Sequence, residues 1–262
     1  MIRSRLENQF PALHRGSSHA RRFIHAALFL AGSGLVACNP IYYSPSTHNI
    51  PLLEGKGDLA GAVAVQSDRI EAQAAYALSD YLAVQFNGGF LSPDDLENGD
   101  GGSGHFLELG LGYFSPIGPR NLTWEIHGLV GHGAFENHFP STLTASPGST
   151  GELEGNMFRL GILPVLGYRA SFVEAAVSSR IAMLGYTGVT GSLVFEGEDQ
   201  ASLLRRDGRY YLLEPALTLR AGMDWVKFQL QAGYSFNITD PNFRQDDSMV
   251  TVGVFLRAPR AR

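Results

Sequence analysis

The sequence predicts an all-β protein: an up-and-down antiparallel transmembrane β-barrel of about ten strands, preceded by a secretory leader and an extended tether. Three observations predict it. Period-two alternation recurs through most of the chain, the connections alternate between short and long, and one face of nearly every strand carries bulky apolar side chains.

The leader comes first. Arg15, Arg21 and Arg22 precede an apolar run from Phe23 to Leu35, and small residues then lead into Cys38. That order is a secretory signal. Its end, Leu35-Val36-Ala37-Cys38, is similar to a bacterial lipobox, in which the cysteine is diacylated and becomes the first mature residue. Cys38 is the single cysteine of the chain, so no disulfide is available and acylation gives this thiol its role. The expected organisation is a signal peptide over 1–37, a lipidated tether over 38–57, a barrel over 58–257 and a tail over 258–262. Pro40, Pro45 and Pro51 keep the tether extended.

From Asp58 onward the strands follow in order at 58–66, 69–78, 81–91, 104–114, 122–135, 155–168, 171–186, 209–221, 225–236 and 248–257. The ninth alternates most clearly: Val226, Phe228, Leu230, Ala232, Tyr234 and Phe236 share one face, Lys227, Gln229, Gln231, Gly233 and Ser235 the other. In the eighth, Leu213, Pro215, Leu217 and Leu219 oppose Glu214, Ala216, Thr218 and Arg220. Pro164 and Pro215 lack a ladder donor and are expected to mark bulges or breaks. Short links (79–80, 115–121, 169–170, 222–224) alternate with long ones (92–103, 136–154, 187–208, 237–247), and only Ser67-Asp68 is short out of turn. An even strand count puts both barrel ends on the short-turn side, so the N-terminus and Cys38 are expected there, facing the periplasm.

Composition bounds the partners. The net charge of −5 argues against nucleic acid, and no run outside the leader approaches the roughly 20 apolar residues of a spanning helix. Lys56 and Lys227 are the only lysines, and charged residues make up 17% of the chain, too few to dress a large water-facing surface. The apolar face is therefore assigned to lipid. Bulky residues on nearly all ten strands exceed what a small barrel holds inside, and the opposite face supplies small residues such as Ala75, Gly110, Gly131, Ala176 and Gly233. Aromatics near strand ends, among them Tyr76, Tyr81, Phe90, Tyr113, Phe114, Trp124, Phe135, Tyr186 and Trp225, fit interfacial girdles.

The inward set then contains Glu71, Glu108, Glu125, Glu174 and Glu214 against Arg159, Arg180, Arg220 and Lys227. Unpaired buried charge is costly, so these are expected to form a network that plugs the lumen. Catalysis is not expected. The chain has no Asp-x-His of the omptin kind, His105, His127, His132 and His138 lack metal-ligand spacing, and Asp94-Asp95 and Asp246-Asp247 fall in loops as solvated pairs. No cofactor or metal is expected. Alternative readings are a narrow channel for small polar solutes and a soluble lipocalin-like periplasmic carrier.

Four segments, 73–78, 105–114, 213–222 and 226–233, resemble the strands of largely uncharacterised Bacteroidota-type outer-membrane barrel lipoproteins. The resemblance implies a membrane barrel and transfers no catalytic residue. Surface export of lipoproteins in that group needs acids soon after the cysteine, which Asn39-Pro40-Ile41-Tyr42-Tyr43 lacks. The expected partners are outer-membrane lipids, the acyl chains on Cys38 and envelope proteins met through the long loops.

Overall fold

Valine, isoleucine and aromatic residues alternating with small or polar ones suit a pleated strand that buries one face. The computed structural model describes residues 40–92, 101–118, 121–139, 150–195 and 197–258. Cys38, the leader, Asp94-Asp95 and residues 259–262 lie outside them.

The elements are β1 (Leu59–Gln66), β2 (Arg69–Ala77), β3 (Leu82–Leu91), β4 (Gly101–Ile117), β5 (Leu122–Phe139), β6 (Gly151–Arg169) and β7 (Val173–Gly191). There follow β8 (Val194–Phe195), β9 (Glu198–Asp199), α1 (Gln200–Asp207), β10 (Arg209–Gly222), β11 (Val226–Tyr234), β12 (Phe236–Asn237) and β13 (Ser248–Arg257). Each long strand pairs antiparallel with its neighbours in sequence. Registers such as Ala60↔Arg257 and Val65↔Val252 join β1 to β13 and close a ten-stranded barrel. Closure removes the sheet edges, which lipid cannot satisfy.

The apolar face points outward. Along β5, Thr123, Glu125, His127 and Leu129 are buried, whereas Trp124, Ile126 and Val130 are exposed. Exposed Tyr76, Tyr81, Tyr113, Trp124, Tyr168 and Trp225 ring the short-turn end, with Tyr81 stacked on Tyr113 at 5.9 Å. Phe90, Tyr211, Tyr234 and Phe236 are exposed toward the other end. Phe114, Phe135 and Tyr186 do not join these girdles. Each falls on the inner phase of its strand and is buried.

Four strands outrun their expected lengths. A tilted membrane strand needs about 9–11 residues, but β4 to β7 have 17, 18, 19 and 19. Their upper ends are rich in glycine and polar residues and read as loop, yet the ladder continues through Gly101↔His138 and Phe139↔Gly151. The prolines cause no bulge. Pro215 pairs in register with Ser179, whereas at Pro164 the β6–β7 ladder breaks as expected, with no pair at Leu163 or Pro164, although the register is the same at Ile162↔Ile181 and Val165↔Ser178 on either side. The register shift lies between Glu154 and Asn156 instead, at Gly155.

Above the barrel, the link expected as a plain loop over 187–208 contains α1. Asp199 caps it, accepting from the Ala201 amide at 3.0 Å and the Ser202 hydroxyl at 2.6 Å, and the Ser202 bond holds the Asp199 carboxyl below its ordinary range. Gly208, at φ 58°, ends it. The helix packs Ala201 and Leu204 onto a roof of Tyr42, Phe135, Phe139, Tyr186, Tyr210 and Phe243, where the Tyr210 and Phe243 rings lie 4.1 Å apart.

The largest departure concerns residues 40–57. At the long-loop end the Tyr42 amide donates to the Arg244 carbonyl at 3.0 Å, and the Asp246 amide donates to the Tyr43 carbonyl at 3.0 Å. The chain then descends the lumen, with every residue from Pro45 to Leu53 buried. It emerges at the short-turn end, where the Gly57 amide (φ 86°) donates to the Ala77 carbonyl at 2.9 Å and the chain reverses into β1. A tether standing free of the barrel would be exposed. Nor does the even strand count set the side of the N-terminus: β1 begins and β13 ends at the short turns, but the lumenal crossing returns Pro40 to the opposite end.

Candidate functional site

The lumen is the place where chemistry concentrates, and it has three levels. At the upper level the Arg159 guanidinium meets Glu108 at 2.7 Å and Arg180 meets Glu214 at 2.5 Å. The thread completes both pairs. The Tyr43 hydroxyl donates to Glu214 at 2.8 Å and accepts from Arg159 at 2.9 Å, while Ser46 Oγ accepts from Arg159 and Arg180 at 3.0 Å each. Arg69, at the mouth, donates to the Pro45 carbonyl at 2.7 Å and lies 3.8 Å from Glu71. Asp246 is not a solvated loop acid: it accepts from Ser44 and lies 3.5 Å from Arg69.

At the middle level the wall reads main chain. Glu71 accepts from the Thr47 amide at 2.8 Å, and Gln73 donates to the Thr47 carbonyl at 2.8 Å. Gln231 grips His48 from both sides, accepting from its amide at 2.6 Å and donating to its carbonyl at 3.1 Å. His48 Nδ1 is 2.8 Å from Ser178 Oγ, and Asn49 donates to Asn87 at 2.8 Å. Asn87 in turn donates to Glu108 at 2.9 Å, which links this level to the upper one.

The lower level is an arginine clamp. Glu174 pairs with Arg220 at 3.1 Å and Arg257 at 2.9 Å, and these donate to the carbonyls of Ile50 at 2.6 Å and Pro51 at 2.9 Å. Glu125 accepts from the Leu53 amide at 3.0 Å and lies 3.3 Å from His127. Lys227 donates to the Ser171 carbonyl, apart from the thread. Between the charges, Ile50 and Leu52 pack with Leu129, Leu163, Val165 and Ala176. Leu52 takes a left-handed turn at φ 48°, and its side chain occupies the space over Gly167, where a Cβ would lie 2.2 Å from it. Gly167 is small because Leu52 is there.

The structure thus brings Glu108 to Arg159, Glu214 to Arg180 and Glu174 to Arg220, and it sets Glu71 and Glu125 on thread amides. Sequence reasoning missed Arg69 and Arg257, which sit at the terminal positions of β2 and β13, and it missed every thread residue. A signal was present: Tyr42, Tyr43, Ile50, Leu52 and Leu53 are more apolar than a solvated linker requires. Of the histidines outside the lumen, His138 pairs with Glu152 at 2.9 Å on the upper wall, and His132 faces outward between Leu107 and Phe158. Among the described residues no three His, Cys, Asp or Glu side chains group as metal ligands.

No protein-family model matches the chain, and no curated protein matches it. Among solved structures it is similar to LpxR from Salmonella typhimurium, with a TM-score of 0.33 and 11% identity over 77% of this chain and 99% of that one.

Proposed function

We propose that this chain is an integral outer-membrane β-barrel, acylated at Cys38, whose lumen is closed by its own residues 40–57 and whose role is structural or interactive. The observation that carries the reading is the orientation of the faces: the wall exposes Val63, Phe86, Leu109, Val130, Ile181 and Phe228 at 46–59%. It buries Glu108, Glu125, Glu174, Arg180 and Lys227 at 1% or less. A contiguous apolar exterior of this extent has no counterpart on a monomeric water-soluble domain. A soluble carrier reverses the pattern and keeps an apolar lumen. A solute channel needs an open path, which the thread occupies. The long-loop end, roofed by α1 and the aromatic cluster, offers a rigid surface to envelope partners. Cys38 and the lipid anchor, together with resemblance to the Bacteroidota-type barrel lipoproteins, belong to this proposal.

The test is fractionation of the Cys38→Ala variant with and without boiling in detergent. Retention in the outer membrane with a heat-dependent mobility shift is the expected result. Release into the soluble fraction without a shift overturns the membrane reading.

A further inference from the structure

The direction of the thread carries a consequence for display. The chain enters the lumen at the long-loop end and leaves it at the short-turn end, and the contacts that fix this run its whole length. Tyr42 and Tyr43 bond the link between β11 and β13. Ile50 and Pro51 bond arginines at the ends of β10 and β13 nearest the short turns. One residue, Asn39, separates Cys38 from Pro40, and two residue steps reach at most about 7 Å. We infer that the barrel is a display device for its own N-terminal end: it closes around the thread and presents the chain at Pro40 on the long-loop face, opposite the end at which β1 begins and β13 ends. On the acylated-barrel reading above, on which this part rests, the acyl chains on Cys38 enter the leaflet at the long-loop end.

Closure must come last. β1 follows the thread directly and pairs with the final strand, β13, so the seam that seals the barrel is formed by the first and last strands together. A thread led by a diacylated cysteine has no route into an already closed lumen filled with paired charges, whereas a sheet curling around it encounters no such obstacle. The wall also reads the thread largely through backbone groups: the Pro45, Ser46, Thr47, His48, Ile50 and Pro51 carbonyls all accept from wall side chains. That arrangement holds an extended strand of peptide in one direction at every level of the lumen.

The experiment places one free thiol at a time in the full acylated chain and treats intact Gram-negative cells with a membrane-impermeant maleimide. Ile41→Cys reports the thread's entry, Asn242→Cys an exposed long loop, and Lys56→Cys the exposed short-turn end. The expected result is that Ile41→Cys behaves as Asn242→Cys does, with Lys56→Cys showing the opposite reactivity. Agreement of Ile41→Cys with Lys56→Cys overturns the inference. If all three label alike, the membrane reading fails, and the threading is then decided on purified full chain by the Ser44→Cys/Asp246→Cys pair, whose side chains touch. Formation of that disulfide supports the threaded entry at the long-loop end, and its absence under oxidation overturns it.

Discussion

The upper and lower halves of the thread are held by different means. From Tyr43 to Ser46 side chains add to the backbone contacts: besides the Pro45 and Ser46 carbonyls that Arg69 and Arg180 read, one phenol and one hydroxyl complete two buried ion pairs. From Ile50 to Leu53 the contacts use backbone carbonyls and an amide, with aliphatic side chains packed between. The upper half is therefore specified by residue identity. The lower half is specified by the wall and by shape. The same lumen obtains specificity from polar chemistry at one end and from backbone recognition at the other.

Glu174 tests the lower half most severely, because it is the anion shared by Arg220 and Arg257. Glu174→Gln leaves two buried guanidinium groups short of charge and is expected to cost about 3–5 kcal/mol, read from the denaturant midpoint in detergent micelles. Tyr43→Phe comes next. It strips the hydroxyl shared by Glu214 and Arg159 and is expected to cost about 1–3 kcal/mol. Pro51→Ala in the lower half keeps the carbonyl that Arg257 reads, so only about 0.4–1 kcal/mol is lost, through added freedom of the unfolded chain. A Pro51→Ala cost equal to that of Tyr43→Phe would erase the distinction between the halves.

Shape gives a sharper version. Gly167→Ala forces a methyl into the Leu52 side chain and is expected to cost about 1–3 kcal/mol. Combining it with Leu52→Ala removes the clash, so the double variant loses less than the sum of the two single losses. Strict additivity in that cycle would place Leu52 somewhere other than over Gly167.

How much of this was legible follows from the same contrast. The barrel and the facing of its walls are written in local alternation: Glu214 and Arg220 are recognisable as inward because Leu213 and Leu219 are outward. The thread has no such period. Pro40, Pro45 and Pro51 declare it extended, but its partners lie on strands 24 to 206 residues away in sequence, and no local pattern encodes them. The upper ends of β4 to β7 are hidden for a related reason, since toward the long loops the outer face turns polar and the apolar alternation fades. Arg69 and Arg257 escaped notice because a terminal strand residue has only one neighbour to show its phase.

The smallest predicted effect lies at the mouth. Burial raises the Asp246 carboxyl above its ordinary range, so within the acid window between its unfolded and folded values the folded chain binds more protons, and stability falls as pH rises. Asp246→Asn is expected to flatten that acid-range dependence while shifting the neutral-pH midpoint by no more than about 0.5 kcal/mol. An unchanged pH profile would locate the acid-range dependence in another group.

The central claim, that residues 45–53 of the thread fill the lumen of a closed barrel, is tested most directly by hydrogen exchange on the purified chain in detergent, followed by mass spectrometry of peptides spanning Pro45–Leu53. The Thr47, His48 and Leu53 amides donate to Glu71, Gln231 and Glu125 in the interior, so protection comparable to that of β5 and β6 is predicted. Exchange at the rate of a free peptide would contradict the threaded lumen.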